Sequence, residues 1–325
     1  MSTLLDYDLE TSHDSTTHGD ELRSTMAAVR VSLKWFGTRK SVSSLQKTEA
    51  ARPFNAEGKF LSVGKKLIDT THPAWKTVTG VRGTILGYWR DRSLPFPEDG
   101  IRLIKRQDID VFNETMRRYQ NELDEAVWRL NEHYDELKAN AQQRLGRLFQ
   151  ESDYPTTLIG MFEATWDYPN VEPPNYLQDY NPRLFREESQ RVRSRFNEAV
   201  RLAEEAFTSE LSKLVAHLID KLSGDTDGKP KIFRDTAVTN LSEFFERFQR
   251  LSIGSNEELE QVVGQARQIM GNIPPQQLRD SATLRQQING QLANVQSTLD
   301  QLMIDRPRRN LIRRSLSTDV ADEHR

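Results

Sequence analysis

The chain has no cysteine in its 325 residues. That excludes disulfides, thiolate metal sites and thiol nucleophiles, and it fits a reducing compartment. Apolar residues are also scarce: 36% are hydrophobic, 29% are charged and mean hydropathy is −0.70. So little apolar material favours thin helical packing over a wide α/β core. Nowhere do about 18 apolar residues run together, as a membrane-spanning helix requires. The first residues, MSTLLDYDLETSHDSTTHGDE, lack the basic-then-apolar order of a secretory leader, so a soluble cytoplasmic protein is expected. There is no repeat with a period of 20–50 residues and no GxSxG elbow.

Charge is present in quantity but unevenly placed. Residues 1–22 carry six acids and no Lys or Arg, and residues 23–106 carry 17 Lys/Arg against 6 Asp/Glu, or +11. Residues 107–305 carry 22 against 33, or −11, and residues 306–325 carry 6 against 3, or +3. The near-neutral total of −3 is therefore a cancellation.

This division suggests five segments: a disordered acidic tail at 1–22, a small basic α+β module at 23–106, a long helical hairpin at 107–224, further helices at 225–305, and an Arg-rich flexible tail at 306–325. In the module, Val29, Val31, Leu33 and Trp35 alternate with Arg30, Ser32, Lys34 and Phe36, the period of a half-buried strand. The stretch PAWKTVTGVRGTILGYWRD reads as a helix despite its glycines. In SLPFPEDGIRLIK, Asp99–Gly100 makes a turn and Ile101, Leu103 and Ile104 supply a second strand beside 29–36. From Ile109 to Leu148 apolar residues recur every three or four positions over about 40 residues, a rod of roughly 60 Å with Asp108 at its cap. A second rod starts at Asn181–Pro182 and stops at Gly224, and the two are expected to pair antiparallel like a coiled coil. The fold class expected is thus mainly α: an elongated helical bundle with a small N-terminal α+β module.

No chemical motif is complete. GDTDGKPK resembles a phosphate loop, but its spacing is one short and Pro230 stands where a hydroxyl belongs. Read as a calcium loop, it places Arg234 where a bidentate Glu is needed. His133 and His217 lack a second His four residues away or a Glu three residues before, so neither rod offers two ligands on one face. No catalytic residue, cofactor or metal is assigned, and the chain reads as a non-enzyme.

The basic module does suggest a contact surface. Arg30, Lys34, Arg39, Lys40, Lys65 and Lys66 lie near Trp35 and Trp89 in sequence, a composition that binds phosphates and stacks bases. Arg308, Arg309, Arg313 and Arg314 extend the set into the tail. The competing reading is neutralisation by the acidic helical body, within the chain or in a second copy, so homo-oligomerisation stays open. Membrane insertion, as in a helical toxin, is disfavoured because the amphipathic seams have the spacing of a bundle core.

VSLKWFGTRK, KKLID at 65–69, the Trp/Gly/Pro run into GIRLI, the helix ending near YDELK and the aromatic crossing after it carry a resemblance. Together, over about 30–170, they resemble an uncharacterised family of bacterial and phage-borne proteins known as a domain of unknown function. Genes of that family tend to lie beside MoxR-like or cobalt-chelatase-like AAA+ ATPases and von Willebrand A proteins. The resemblance implies an adaptor in an ATPase system, with those two proteins as partners and no catalytic residues to carry over. Nucleic-acid binding through the basic module and the Arg-rich tail is the alternative.

Overall fold

In the computed structural model, residues 17–223, 235–271 and 273–304 are described. Across them the chain is mainly α, with one four-stranded antiparallel sheet and one short two-stranded ribbon. The described residues divide into two compact units, the first holding those of 17–203 and 249–255, the second those of 204–248 and 256–304.

The first unit opens with helix α1 (His18–Thr25), whose N-cap Thr17 accepts the Asp20 backbone N–H. Residues 18–22 of the segment expected as a tail are therefore helical, and Leu22 is buried. Strand β1 (Met26–Lys34) begins three residues earlier than its alternation suggests, because both faces are covered at its start and Met26, Ala28 and Val29 are all buried. Strands β4 (Ser93–Pro95), β5 (Ile101–Lys105) and β6 (Glu163–Asp167) complete a sheet of order β4-β5-β1-β6. The first half of β1 pairs with β5, from Met26 opposite Lys105 to Arg30 opposite Ile101. The second half pairs with β6, from Arg30 opposite Asp167 to Lys34 opposite Glu163.

Helix α3 (Pro73–Asp91) and helix α4 (Ile109–Glu132) pack together over one face of this sheet. Their core joins Val29 and Ile104 to Trp75, Val78, Ile85, Phe112, Met116, Leu123 and Leu130. Tyr88 stacks on Phe112 with centroids 5.5 Å apart. The seam of α4 is thus covered by α3 and the sheet rather than by the second rod. The first rod also breaks at His133, where helix α5 (Tyr134–Leu145) starts, and Asp108 precedes α4 without a capping side-chain bond. Sheet and α4 share one core, so the expected boundary at 106 falls inside it.

After the short helix α6 (Tyr176–Tyr180) comes helix α7 (Pro182–Leu222), within which one unit boundary falls. Its first part packs in the first unit: Phe196 meets Phe96 edge-on at 5.5 Å, and Arg193 pairs with Asp20 at 3.2 Å. In the second unit the remainder of α7 is buried along Phe207, Leu211, Val215 and Leu218. Phe207 packs edge-on against Phe248 of helix α8 (Thr236–Leu251) at 5.0 Å. Helix α9 (Glu257–Met270), helix α10 (Pro275–Asp280) and helix α11 (Ala282–Ile304) follow, and α9 packs on α11. Gln296 of α11 donates to Ser212 of α7 at 2.8 Å. Among the described residues no helix is long and apolar enough to cross a membrane.

Candidate functional site

Strands β2 (Arg39–Ser41) and β3 (Gly64–Lys66) form the two-stranded ribbon, and its register sets the electrostatics of the region. Arg39 stands opposite Lys66 and Lys40 opposite Lys65. Like charges directly opposite repel unless an anion intervenes. On the Lys40/Lys65 face the anion is Asp153, from the turn Glu151–Asp153. Lys40 Nζ lies 2.6 Å from Oδ1 and Lys65 Nζ 2.5 Å from Oδ2, while Lys65 also donates to the Leu148 carbonyl at 2.7 Å. The side chain of Asp153 is 0% exposed and that of Lys65 5%. Burial pushes the Asp153 carboxyl up, but the hydrogen bonds from Lys40 and Lys65 outweigh it and hold the group below the usual carboxylate range.

On the other face, Arg39 and Lys66 have no carboxylate within ion-pair distance among the described residues. Lys66 lines a cleft of about 240 Å³ together with Ile68, Leu137 and Ala141. Asp69 and Arg144, joined at 2.7 Å, also line it. Asp69 is held well below the usual carboxylate range, first by the Thr71 hydroxyl and then by Arg144.

The remaining sequence candidates have structural roles. Arg30 forms a two-point pair with Asp167, its register partner on β6, and Lys34 donates to the Gly160 carbonyl at 3.0 Å. Trp35 packs edge-on against Phe162 at 5.0 Å with Arg82 over its ring, and Trp89 is buried. Arg308, Arg309, Arg313 and Arg314 lie outside the described residues, as does GDTDGKPK. The fold does bring His72 and His133 together, with centroids 5.1 Å apart. His72 accepts the Ala74 N–H and caps α3. Among the described residues no group of three His, Cys, Asp or Glu side chains is placed to hold a metal.

Between β2 and β3 the chain makes an excursion, residues 42–63, that the sequence reading passed over. Helix α2 (Ser44–Ala51) is opened by a capping box, Ser43 with Gln46, and followed by single turns at Arg52–Phe54 and Gly58–Phe60. Asn55 reverses the chain with a φ of 49°. Gly58 lies so close that a Cβ would stand 2.8 Å from the Thr48 backbone nitrogen. Within the excursion only Val42, Ala51 and Gly58 are buried. Leu45, Phe54 and Phe60 are 71%, 79% and 78% exposed.

No family model, curated protein or solved structure matches this chain. Function must therefore be argued from the site itself. The clue in the sequence was that Phe54 and Phe60 belong to neither a two-residue nor a 3.6-residue stripe, and each has a cation within two residues. Asp153 gave no such signal, because only the fold brings it to the ribbon.

Proposed function

We propose that the chain is a non-enzymatic cytoplasmic interaction protein, an adaptor that engages a second component through the 42–63 lobe. The observation that carries this reading is the exposure of Leu45, Phe54 and Phe60 on a segment with almost no interior of its own. Large apolar side chains left exposed along one short segment favour a contact site there. The sequence resemblance supplies the class of the other partner, a MoxR-like AAA+ ATPase with its von Willebrand A protein. A tagged full chain drawn from a detergent-free lysate is expected to bring such an ATPase with it. Replacing residues 44–62 by a short Gly/Ser turn is expected to remove at least one component of what co-purifies. Recovery of no partner, or the same components from both chains, contradicts the reading.

One observation favours nucleic-acid binding as a second reading: Arg39 and Lys66 face each other across the ribbon without a carboxylate. On this reading the Arg39→Glu/Lys66→Glu chain loses a salt-dependent gel shift with single-stranded DNA that the natural chain gives. Lys65 is unsuitable for that test, being buried against Asp153.

A further inference from the structure

We infer that the second component is an anionic lipid bilayer, with the 42–63 lobe as a peripheral membrane anchor. The inference rests on the adaptor reading of the same lobe and adds the chemistry of what it meets. Each exposed apolar side chain has a cation within two residues in sequence: Leu45 with Lys47, Phe54 with Arg52, and Phe60 with Lys59. This is the composition of a segment that rests in the headgroup region, where apolar groups enter the acyl boundary and Lys or Arg stems reach back to phosphates.

The charge agrees. With Lys40 and Lys65 committed to Asp153 and Lys59 paired with Glu57 at 2.5 Å, the ribbon and lobe retain Arg39, Lys47, Arg52 and Lys66 against Glu49, a net +3. That sign suits the anionic cytoplasmic leaflet. The architecture agrees as well. A protein partner rewards rigid, shape-matched anchors seated in pockets, whereas this lobe buries only Val42, Ala51 and Gly58. A fluid interface needs no matching shape. Base stacking fits less well, because Leu45 has no π face and Lys59 Nζ lies 5.0 Å over the ring of Phe60.

The test is co-sedimentation of the full chain with phosphatidylcholine vesicles, with and without phosphatidylglycerol. The natural chain is expected to sediment only with the anionic vesicles, and less so as salt rises. A Leu45→Ser/Phe54→Ser/Phe60→Ser chain should bind at least about tenfold more weakly. Charge reversal at Lys47, Arg52 and Lys59 should also weaken binding at least about tenfold. Trp128→Ser, an exposed aromatic elsewhere in the same unit, should bind unchanged. Apart from half-buried Lys47 the substituted side chains are exposed, and an unchanged thermal melt verifies that each variant is folded. A natural chain that ignores anionic vesicles, or a triple-Ser chain that binds them equally well, overturns the bilayer assignment. If vesicles are ignored while the lobe replacement still removes a co-purifying component, the adaptor reading stands and the bilayer falls. Retention on an oligodeoxythymidylate in place of vesicles, lost in the same variants, assigns the lobe to single-stranded nucleic acid and also overturns the proposal.

Discussion

Lys40 and Lys65 face each other across β2 and β3, and Asp153 is what allows them to do so. Removing one member of a buried ionic cluster leaves the others uncompensated, so Asp153→Asn should cost about 3 kcal/mol in a denaturant titration. A Lys65→Met/Asp153→Leu chain should lose less than Asp153→Asn alone, since an apolar replacement of a buried pair leaves no stranded charge. The pH dependence follows from the depressed carboxyl. Asp153 contributes stability at pH values above the ordinary carboxylate value, and that contribution is lost as pH falls through its lower folded value, below about pH 4. Asp153→Asn should therefore flatten the acid limb of the stability profile, and an unchanged limb would count against this role. The sequence could show the excess of cations over 23–106 but not their partners, because Asp153 and Asp167 lie more than a hundred residues along the chain from Lys40 and Arg30.

At the scale of elements, periodic segments were the most legible. The span Pro73–Asp91 is helical as its pattern implies, and the Ile101–Lys105 strand lies beside β1. The glycines of α3 have no packing reason in the fold: a Cβ at Gly83 would meet nothing within 4 Å. Gly83→Ala should therefore raise stability by about 0.5–1 kcal/mol, read from a thermal or denaturant melt. Gly58 is the opposite case, and Gly58→Ala should push α2 away from the Gly58–Phe60 turn. Hydrogen exchange would show this as lost protection confined to 44–60 with the α3 and α4 amides unchanged. Pairing between elements was less legible. The seam of α4 is equally suited to any apolar helix, and α3, closer along the chain, together with the sheet, takes the place expected for the second rod. Strand β6 was hidden inside an aromatic, proline-rich crossing, where a five-residue strand has too few alternations to stand out.

For the molecule as a whole, charge division and structural division do not coincide. The change from basic to acidic composition falls near residue 106, yet β1, β5, β6, α3 and α4 share one core across it. A fragment of residues 17–106 lacks β6 and α4, so it should show no cooperative melt by circular dichroism, whereas an independent basic module would melt cooperatively. The lobe at 42–63 leaves Leu45, Phe54 and Phe60 exposed, and docking through it is the central functional claim. The most direct measurement is hydrogen–deuterium exchange of the full chain, alone and in its co-purified assembly. Slower exchange over residues 42–63 in the assembly is the predicted result. Unchanged exchange there, with protection appearing only elsewhere on the chain, would contradict the claim that this lobe is the docking element.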